Sequence, residues 1–315
     1  MSKKIIAVIG ATGAQGGALV NAILARGGSE WGVRAVTRDP NSEKARALAS
    51  RGVEVVGGDA DDPSSLDRAF AGAYGAFCVT AFWEHFSPEK ELTQAANMAN
   101  AAARAGVQHA LWSTLEDTRV LVPLTDDRMP TLQGKYKVPH FDAKGEANAL
   151  FAKAGVPTTL FHTSFYWDNL IHFGMGPKPG PDGKLAFTLP MADEKLPGIA
   201  AEDIGKCALG VFARGEEFAG KSIGIAGEHL SGGEMAEALS RALERPVAYN
   251  YVPPEVYRTF GFPGADDLAN MFQYKRDFAP QFRALRSVEF SRSLNPELQS
   301  FARWLAANKA RIPLS

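Results

Sequence analysis

Two short stretches hold residues whose types and spacing could do chemistry. The first is Gly10-Ala11-Thr12-Gly13-Ala14-Gln15-Gly16-Gly17, a GxxGxxG loop. It stands between an apolar run, Ile5 to Ile9, and a helical pattern with Leu19, Val20, Ile23 and Leu24 on one face, closed by Gly27-Gly28. A strand, a tight glycine turn and a helix start suit a dinucleotide pyrophosphate. At Gly10, Gly13 and Gly16 the missing Cβ atoms let the backbone approach the phosphates, and the free N–H groups of the helix start point at their charge. An ordinary glycine turn is the alternative. The second stretch is His140-Phe141-Asp142-Ala143-Lys144-Gly145-Glu146. His140 and Lys144 are spaced to share one helical face. The lysine could hold ribose hydroxyls, and the His140 imidazole could donate a proton. A surface His–Lys pair near a helix start is the alternative for His140.

Between these stretches lie the residues that would choose and line a cofactor. The second strand ends Val36-Thr37-Arg38-Asp39-Pro40. An acid at that tip favours a free 2′-hydroxyl and NAD, whereas an arginine pairs with a 2′-phosphate and favours NADP. Arg38 falls about twenty residues after the glycine loop, where the selector belongs, so NADP is expected; a solvated surface charge is its other reading. Asp59 could face the adenine edge or serve as a turn or capping carboxylate. Thr80, Ala81 and Phe82 would lie along the nicotinamide ribose, and Ser113 and Thr114 could address the nicotinamide end.

These residues must be positioned by a parallel sheet. Apolar strand-like runs (Ile5–Ile9, Val33–Thr37, Val53–Val56, Ala76–Thr80, Gln108–Ser113, Thr158–Phe161) alternate with helical stretches led in at Ser42, Asp62-Pro63, Ser87 and His140. That alternation predicts an α/β, Rossmann-type doubly wound parallel sheet, with ligands beyond the C-terminal strand ends. The expected division is an NADP-binding domain over 1–170, with a return helix near 201–213, and a smaller mixed α/β C-terminal lobe over 171–315 that caps the cleft. Residues 114–139 read as an irregular loop beside the cleft that could act as a lid. Glycine and proline dominate from Gly174 to Gly183, where the regular core is left.

Composition excludes several function classes. A net charge of −1 and a pI near 6.6 give no basic excess for nucleic acid or an anionic membrane. The C-terminal cations Lys275, Arg276, Arg283, Arg286 and Arg292 are interrupted by Asp277 and Glu289 and read as a solvated helical face. No run of about eighteen apolar residues occurs, and the apolar run after Lys3-Lys4 is too short for a signal peptide. Cys78 and Cys207 lie far apart, in no CxxC or zinc spacing, so no metal is expected and a reducing, cytoplasmic location is.

The chain resembles the NmrA-like family of atypical short-chain dehydrogenase/reductase proteins, and within it the HSCARG type of NADPH sensor. The resemblance rests on GATGAQGG (Gly10–Gly17), VTR (Val36–Arg38), GDADD (Gly58–Asp62), Trp83-Glu84, HFDAKGE (His140–Glu146), FYWDN (Phe165–Asn169) and GFPGADDLANMF (Gly261–Phe272). It implies NADP(H) as cofactor, with Thr12, Gly13, Ala14, Gln15, Gly16, Arg38, Asp59, Thr80, Phe82, Lys144 and the segment Tyr166 to Asn169 lining its pocket. Lys144 resembles the lysine of the YxxxK motif, but the tyrosine position holds His140, which removes the phenol proton donor. Some relatives carry a cofactor-contacting lysine near Thr93, a charge this chain lacks there.

Two functions follow as expectations. One is a redox sensor, in which NADP(H) binds one conformation better and shifts a homodimer or a regulatory protein partner. The other is an NADPH-dependent reductase of quinones or other small carbonyl compounds, with His140 or water as proton source. A flat substrate would then stack on Phe82, Trp83, Phe86, Phe165, Tyr166 or Trp167, residues that core packing explains equally.

Overall fold

The computed structural model describes residues 3–26, 30–180 and 182–314; Gly27-Gly28 and Pro181 lie outside them. The chain forms two compact units. One comprises Met1–Asp117, His140–His162 and Ile204–Ile223, the other Thr118–Pro139, Thr163–Asp203 and Gly224–Ser315.

In the first unit, strands β1 (Lys4–Ile9), β2 (Trp31–Thr37), β3 (Glu54–Gly57), β4 (Gly75–Cys78), β5 (His109–Thr114) and β6 (Thr158–His162) alternate with helices. The helices are α1 (Ala14–Ala25), α2 (Glu43–Ala49), α3 (Pro63–Phe70), α4 (Phe82–His85), α5 (Pro88–Arg104) and α6 (Pro139–Ala154). The sheet order is β6-β5-β4-β1-β2-β3, with a further strand, Ser222–Gly224, outside β6. The pairings among β1 to β6 are parallel. The order reverses between β1 and β4, so the crevice at this topological switch opens beyond Ile9 and Cys78, beside the glycine loop. This is the α/β, Rossmann-type doubly wound sheet expected from the alternation of strands and helices.

Local chemistry explains the boundaries. Ser42, Asp62 and Ser87 each accept a backbone N–H in the first turn of the helix that follows, and proline stands at the start of α3 and α5, where its missing N–H costs nothing. β4 and β5 are buried along their whole length, as strands covered on both faces must be, which is why they read as continuous apolar runs. One face packs Phe70, Met98, Trp112 and Phe151 into a common core. The helix Ala201–Arg214 reaches α1 through Gly205, whose added Cβ would lie 2.2 Å from the Ala18 carbonyl carbon. β4 ends at Cys78 rather than at Thr80, whose hydroxyl meets buried polar partners described below, and Phe82 opens a single helical turn.

His109 on β5 is buried, with its Nε2 2.8 Å from the Thr159 hydroxyl. Burial pushes its imidazole from the ordinary 6.5 down to about 4. The unfolded chain therefore binds a proton that the folded chain refuses between these values. Stability is full above pH 6.5 and falls as the pH drops towards 4, by up to about 3 kcal/mol. Urea midpoints measured from pH 7 to 4 should show that slope, and His109→Asn should flatten it; an unchanged slope would place the acid sensitivity elsewhere.

The second unit carries two small sheets. Leu196–Ile199 pairs antiparallel with Glu228–Leu230 and parallel with Phe165–Tyr166. Leu185–Leu189 pairs parallel with Val247–Tyr251 and antiparallel with Lys178–Pro179, so the Gly174–Gly183 stretch is partly tied into a sheet. Residues 118–139 are tied to a helix far along the chain. On the helix Ala265–Asp277, the Asn270 amide donates to the carbonyls of Pro130 (3.0 Å) and Lys137 (2.6 Å). The Gln273 amide donates to the Arg128 carbonyl at 2.8 Å. Lys137 is itself buried, donating to the Asp126 and Met129 carbonyls at 2.8 and 2.7 Å. The GFPGADDLANMF stretch thus has a mechanical role, stapling the irregular segment down.

Candidate functional site

The glycine loop is built by backbone constraints alone. Gly10 sits at φ +65°, a left-handed conformation that favours glycine. A Cβ on Gly16 would lie 2.4 Å from the Gly10 carbonyl oxygen, and one on Gly13 would lie 3.3 Å from the same atom. The Gly13 N–H donates to the Gly10 carbonyl at 2.8 Å, which closes the turn. Helix α1 then starts with Gly13 as N-cap and no side-chain cap bond, and Gly13 and Ala14 are exposed. Amides uncapped by side chains, at the mouth of a parallel sheet, are what an anionic pyrophosphate requires. Gln15 is positioned from the sheet: its Oε1 accepts from the Ser113 hydroxyl at 2.8 Å. Ser113 therefore braces the loop, and Thr114 serves α6, donating to Asn148 Oδ1 at 2.7 Å. Thr12 is half-buried on the same loop.

At the tip of β2, Arg38 is exposed but paired. Its guanidinium makes a two-pronged pair with Glu84 of α4, at 2.7 and 3.0 Å. The Glu84 carboxylate, with smaller help from Asp59 and Asp61, raises the Arg38 pKa above its ordinary value. Asp59 takes the turn role, with Oδ1 accepting the Asp61 N–H at 2.9 Å. Asp61 is anchored from α5 by Lys90 at 2.9 Å and by the Gln94 amide at 3.0 Å.

The buried centre of the site joins two residues named from the sequence, Thr80 and Lys144, to one that was not, Glu91. The Lys144 ammonium lies 2.7 Å from Glu91 Oε1 and 2.5 Å from the Thr80 hydroxyl, and Thr80 in turn donates to Glu91. Glu91 is fully buried and Lys144 nearly so. Burial alone would raise the Glu91 pKa, but the Lys144 charge, with bonds from His85, Lys144 and Thr80, overcomes it and holds the carboxyl at about 2. The ammonium also sits 5.0 Å from the Trp112 ring centre, a cation–π distance. His85 Nε2 stands 3.5 Å from Glu91 Oε2, while His85 Nδ1 accepts the Ser87 N–H at 3.1 Å. That acceptor role leaves the proton of a neutral ring on Nε2, facing the carboxylate.

His140 is 5% exposed, so the surface-pair reading fails. Its ring packs 4.7 Å from Trp83, 4.8 Å from Phe141 and 5.9 Å from Phe82. The surface reading failed because polar residues suggested solvent, whereas α6 buries its whole first turn. Gly145 explains how: a Cβ there would lie 2.4 Å from the Asp117 amide nitrogen. Phe82 is core, and Trp83 and Phe86 are partly exposed.

Tyr166 and Asn169 belong to the second unit. Tyr166 is half-buried with its hydroxyl 3.2 Å from Thr163, and the half-buried Asn169 opens the short helix Asn169–His172. Trp167 is core, packed on Phe301 and Trp304, and Asp168 accepts the Ala201 N–H at 2.8 Å. Among the described residues no cluster of His, Cys, Asp and Glu is placed to hold a metal ion, and no helix is long and apolar enough to cross a membrane.

The chain is similar to several known proteins. NmrA-like family domain-containing oxidoreductase FrzB of Cladobotryum sp is 28% identical over 304 residues, covering 88% of this chain and 87% of FrzB. The NAD(P)H azoreductase of Xenophilus azovorans is 29% identical over 247 residues, covering 78% of this chain and 76% of that protein. The structure of Nmra, a negative transcriptional regulator, in complex with NADP superposes with a TM-score of 0.79 at 25% identity, covering 97% of this chain and 95% of that one. The same regulator has also been crystallised with NAD. The NmrA-like family model matches residues 2–301, and the chain therefore belongs to the NmrA-like family.

Proposed function

We propose that the chain binds NADP(H) and works chiefly as a redox sensor of the HSCARG type. The observation that carries the dinucleotide reading is the glycine cradle: a turn too tight for a Cβ at Gly16, opening a helix whose first amides no side chain caps. Gly10, Thr12, Gly13, Ala14, Gln15 and Gly16 would receive the pyrophosphate, Arg38 the 2′-phosphate, and Thr80, Phe82 and Lys144 the nicotinamide half. The regulator solved with NAD and with NADP supports this assignment. The sensor reading draws on the proton inventory: no phenol stands one turn before Lys144, and that lysine is pinned to a buried carboxylate. Cofactor binding would then shift a homodimer or a complex with a regulatory partner.

A second reading, reduction of quinones or other flat acceptors, is favoured by the partly exposed Trp83, which packs on both His140 and Phe86, and by the azoreductase relative. The cofactor would supply hydride, and His140 or water the proton.

One assay separates the two: loss of reduced-nicotinamide absorbance with NADPH and then NADH against quinones, aldehydes and azo dyes, with light scattering on the same samples. The sensor reading expects tight NADPH binding, a mass change and no saturable turnover. Saturable turnover that falls in His140→Ala, with cofactor affinity kept, would establish the reductase instead. Arg38→Asp should weaken NADPH at least about tenfold through loss of a charged phosphate contact. Unchanged affinity would remove Arg38 from the site.

A further inference from the structure

Arg38 faces an acidic set. Glu84 grips its guanidinium with both oxygens at 2.7 and 3.0 Å, and the Asp59 and Asp61 carboxylates add to the field that stabilises its charge. A carboxylate holding a guanidinium by two parallel bonds uses the donors that a phosphate would use. From this geometry we propose that Glu84 is an internal competitor of the 2′-phosphate. The choice between NADP(H) and NAD(H) is then set by the Arg38–Glu84 pair and not by Arg38 alone. The inference rests on the dinucleotide reading and deepens it.

The competition is direct. A 2′-phosphate brings close to two negative charges to Arg38 and takes up the donors that Glu84 occupies, so Glu84 must release the arginine. A free 2′-hydroxyl makes no such demand, and the pair can persist beside it. Both side chains are more than half exposed, at 65% and 52%, so the carboxylate can swing into water at modest cost. Its short helix ends at Phe86 in a left-handed conformation, φ +55°, and is followed by His85's partner Ser87 and then Glu91 on α5. Glu84 therefore belongs to a short segment fixed at its far end and able to turn its side chain at the near one.

The test is titration of wild type and Glu84→Gln with NADPH and with NADH, followed by nicotinamide fluorescence at low and at moderate salt. Glu84→Gln keeps the shape and removes the charge. The ratio of the NADH to the NADPH dissociation constant should rise about fivefold, the scale of one well-formed exposed ion pair, and the rise should shrink with added salt. Repeating the exchange in an Arg38→Met background should abolish the rise, because the competition acts only through Arg38. A ratio unchanged by Glu84→Gln in a protein that binds NADPH would overturn the competitor role and leave the dinucleotide reading standing. Failure of both wild type and variant to bind either nucleotide would overturn the two together.

Discussion

Replacing Glu91 by Ala is expected to lower the unfolding free energy by about 3–5 kcal/mol, the cost of leaving a buried charge without its partner. Lys144 is 11% exposed at its side chain and Glu91 is not exposed at all, so water cannot take the carboxylate's place. That is a large share of the roughly 5–15 kcal/mol that holds an ordinary domain together. Equilibrium urea unfolding, read by tryptophan fluorescence from Trp112 and its neighbours, measures it. Removing both charges should hurt less than removing one: Glu91→Leu with Lys144→Met replaces a paired charge by apolar volume and should recover most of the loss. A Glu91→Ala protein within about 0.5 kcal/mol of wild type would mean that Lys144 and Glu91 do not form an ion pair in the folded state.

The same pair fixes an acid limit. The Glu91 carboxyl is depressed from its ordinary 4.5 to about 2. Its contribution is complete above pH 4.5 and lost as the pH falls through 2, the direction of a depressed carboxylate. The gap in stability between wild type and Glu91→Ala should narrow over that window. The window meets the one set by His109 only near pH 4 and otherwise lies below it, so the two groups separate over most of an acid titration.

How much of this was legible beforehand depended on distance along the chain. The helix starts could be read because Ser42, Asp62-Pro63 and Ser87-Pro88 act within one turn, and the glycine loop because its whole geometry is local. Glu84 reaches Arg38 across 46 residues, and Lys144 reaches Thr80 across 64; nothing in either local sequence marks the other. Glu91 did leave a trace. It stands on the stripe of α5 that also buries Gln94, Ala95, Met98 and Ala102, so a carboxylate interrupts an apolar face there, but it also reads as an ordinary first-turn acid favoured by the helix dipole. His140 failed for the opposite reason: α6 has no dry and wet faces near its start, so periodicity had nothing to report. Residues 114–139 were irregular in pattern, and the amides of Asn270 and Gln273 that bond the carbonyls of Arg128, Pro130 and Lys137 stand far along the chain.

Gly16→Val should weaken NADPH binding about a hundredfold while lowering stability by about 1–3 kcal/mol. A Cβ at this position would lie 2.4 Å from the Gly10 carbonyl oxygen, 2.7 Å from its carbon and 2.8 Å from the Ile9 oxygen. All three are backbone atoms, so no side chain can rotate away. The first turn of α1 must lift from the end of β1, and the amides that would face the pyrophosphate move with it. Neighbouring glycines supply the control. A Cβ on Gly17 would meet the Ala11 oxygen at 3.2 Å, and one on Gly13 the Gly10 oxygen at 3.3 Å, distances that a few tenths of an ångström relieve. Gly17→Ala should therefore cost far less, because the strain is offset by the roughly 1 kcal/mol that alanine gains over glycine inside a helix. Isothermal titration with NADPH beside urea unfolding reads both effects. If Gly16→Val bound NADPH as wild type does, the close packing of α1 on β1 would have no part in holding the nucleotide, whatever the stability change.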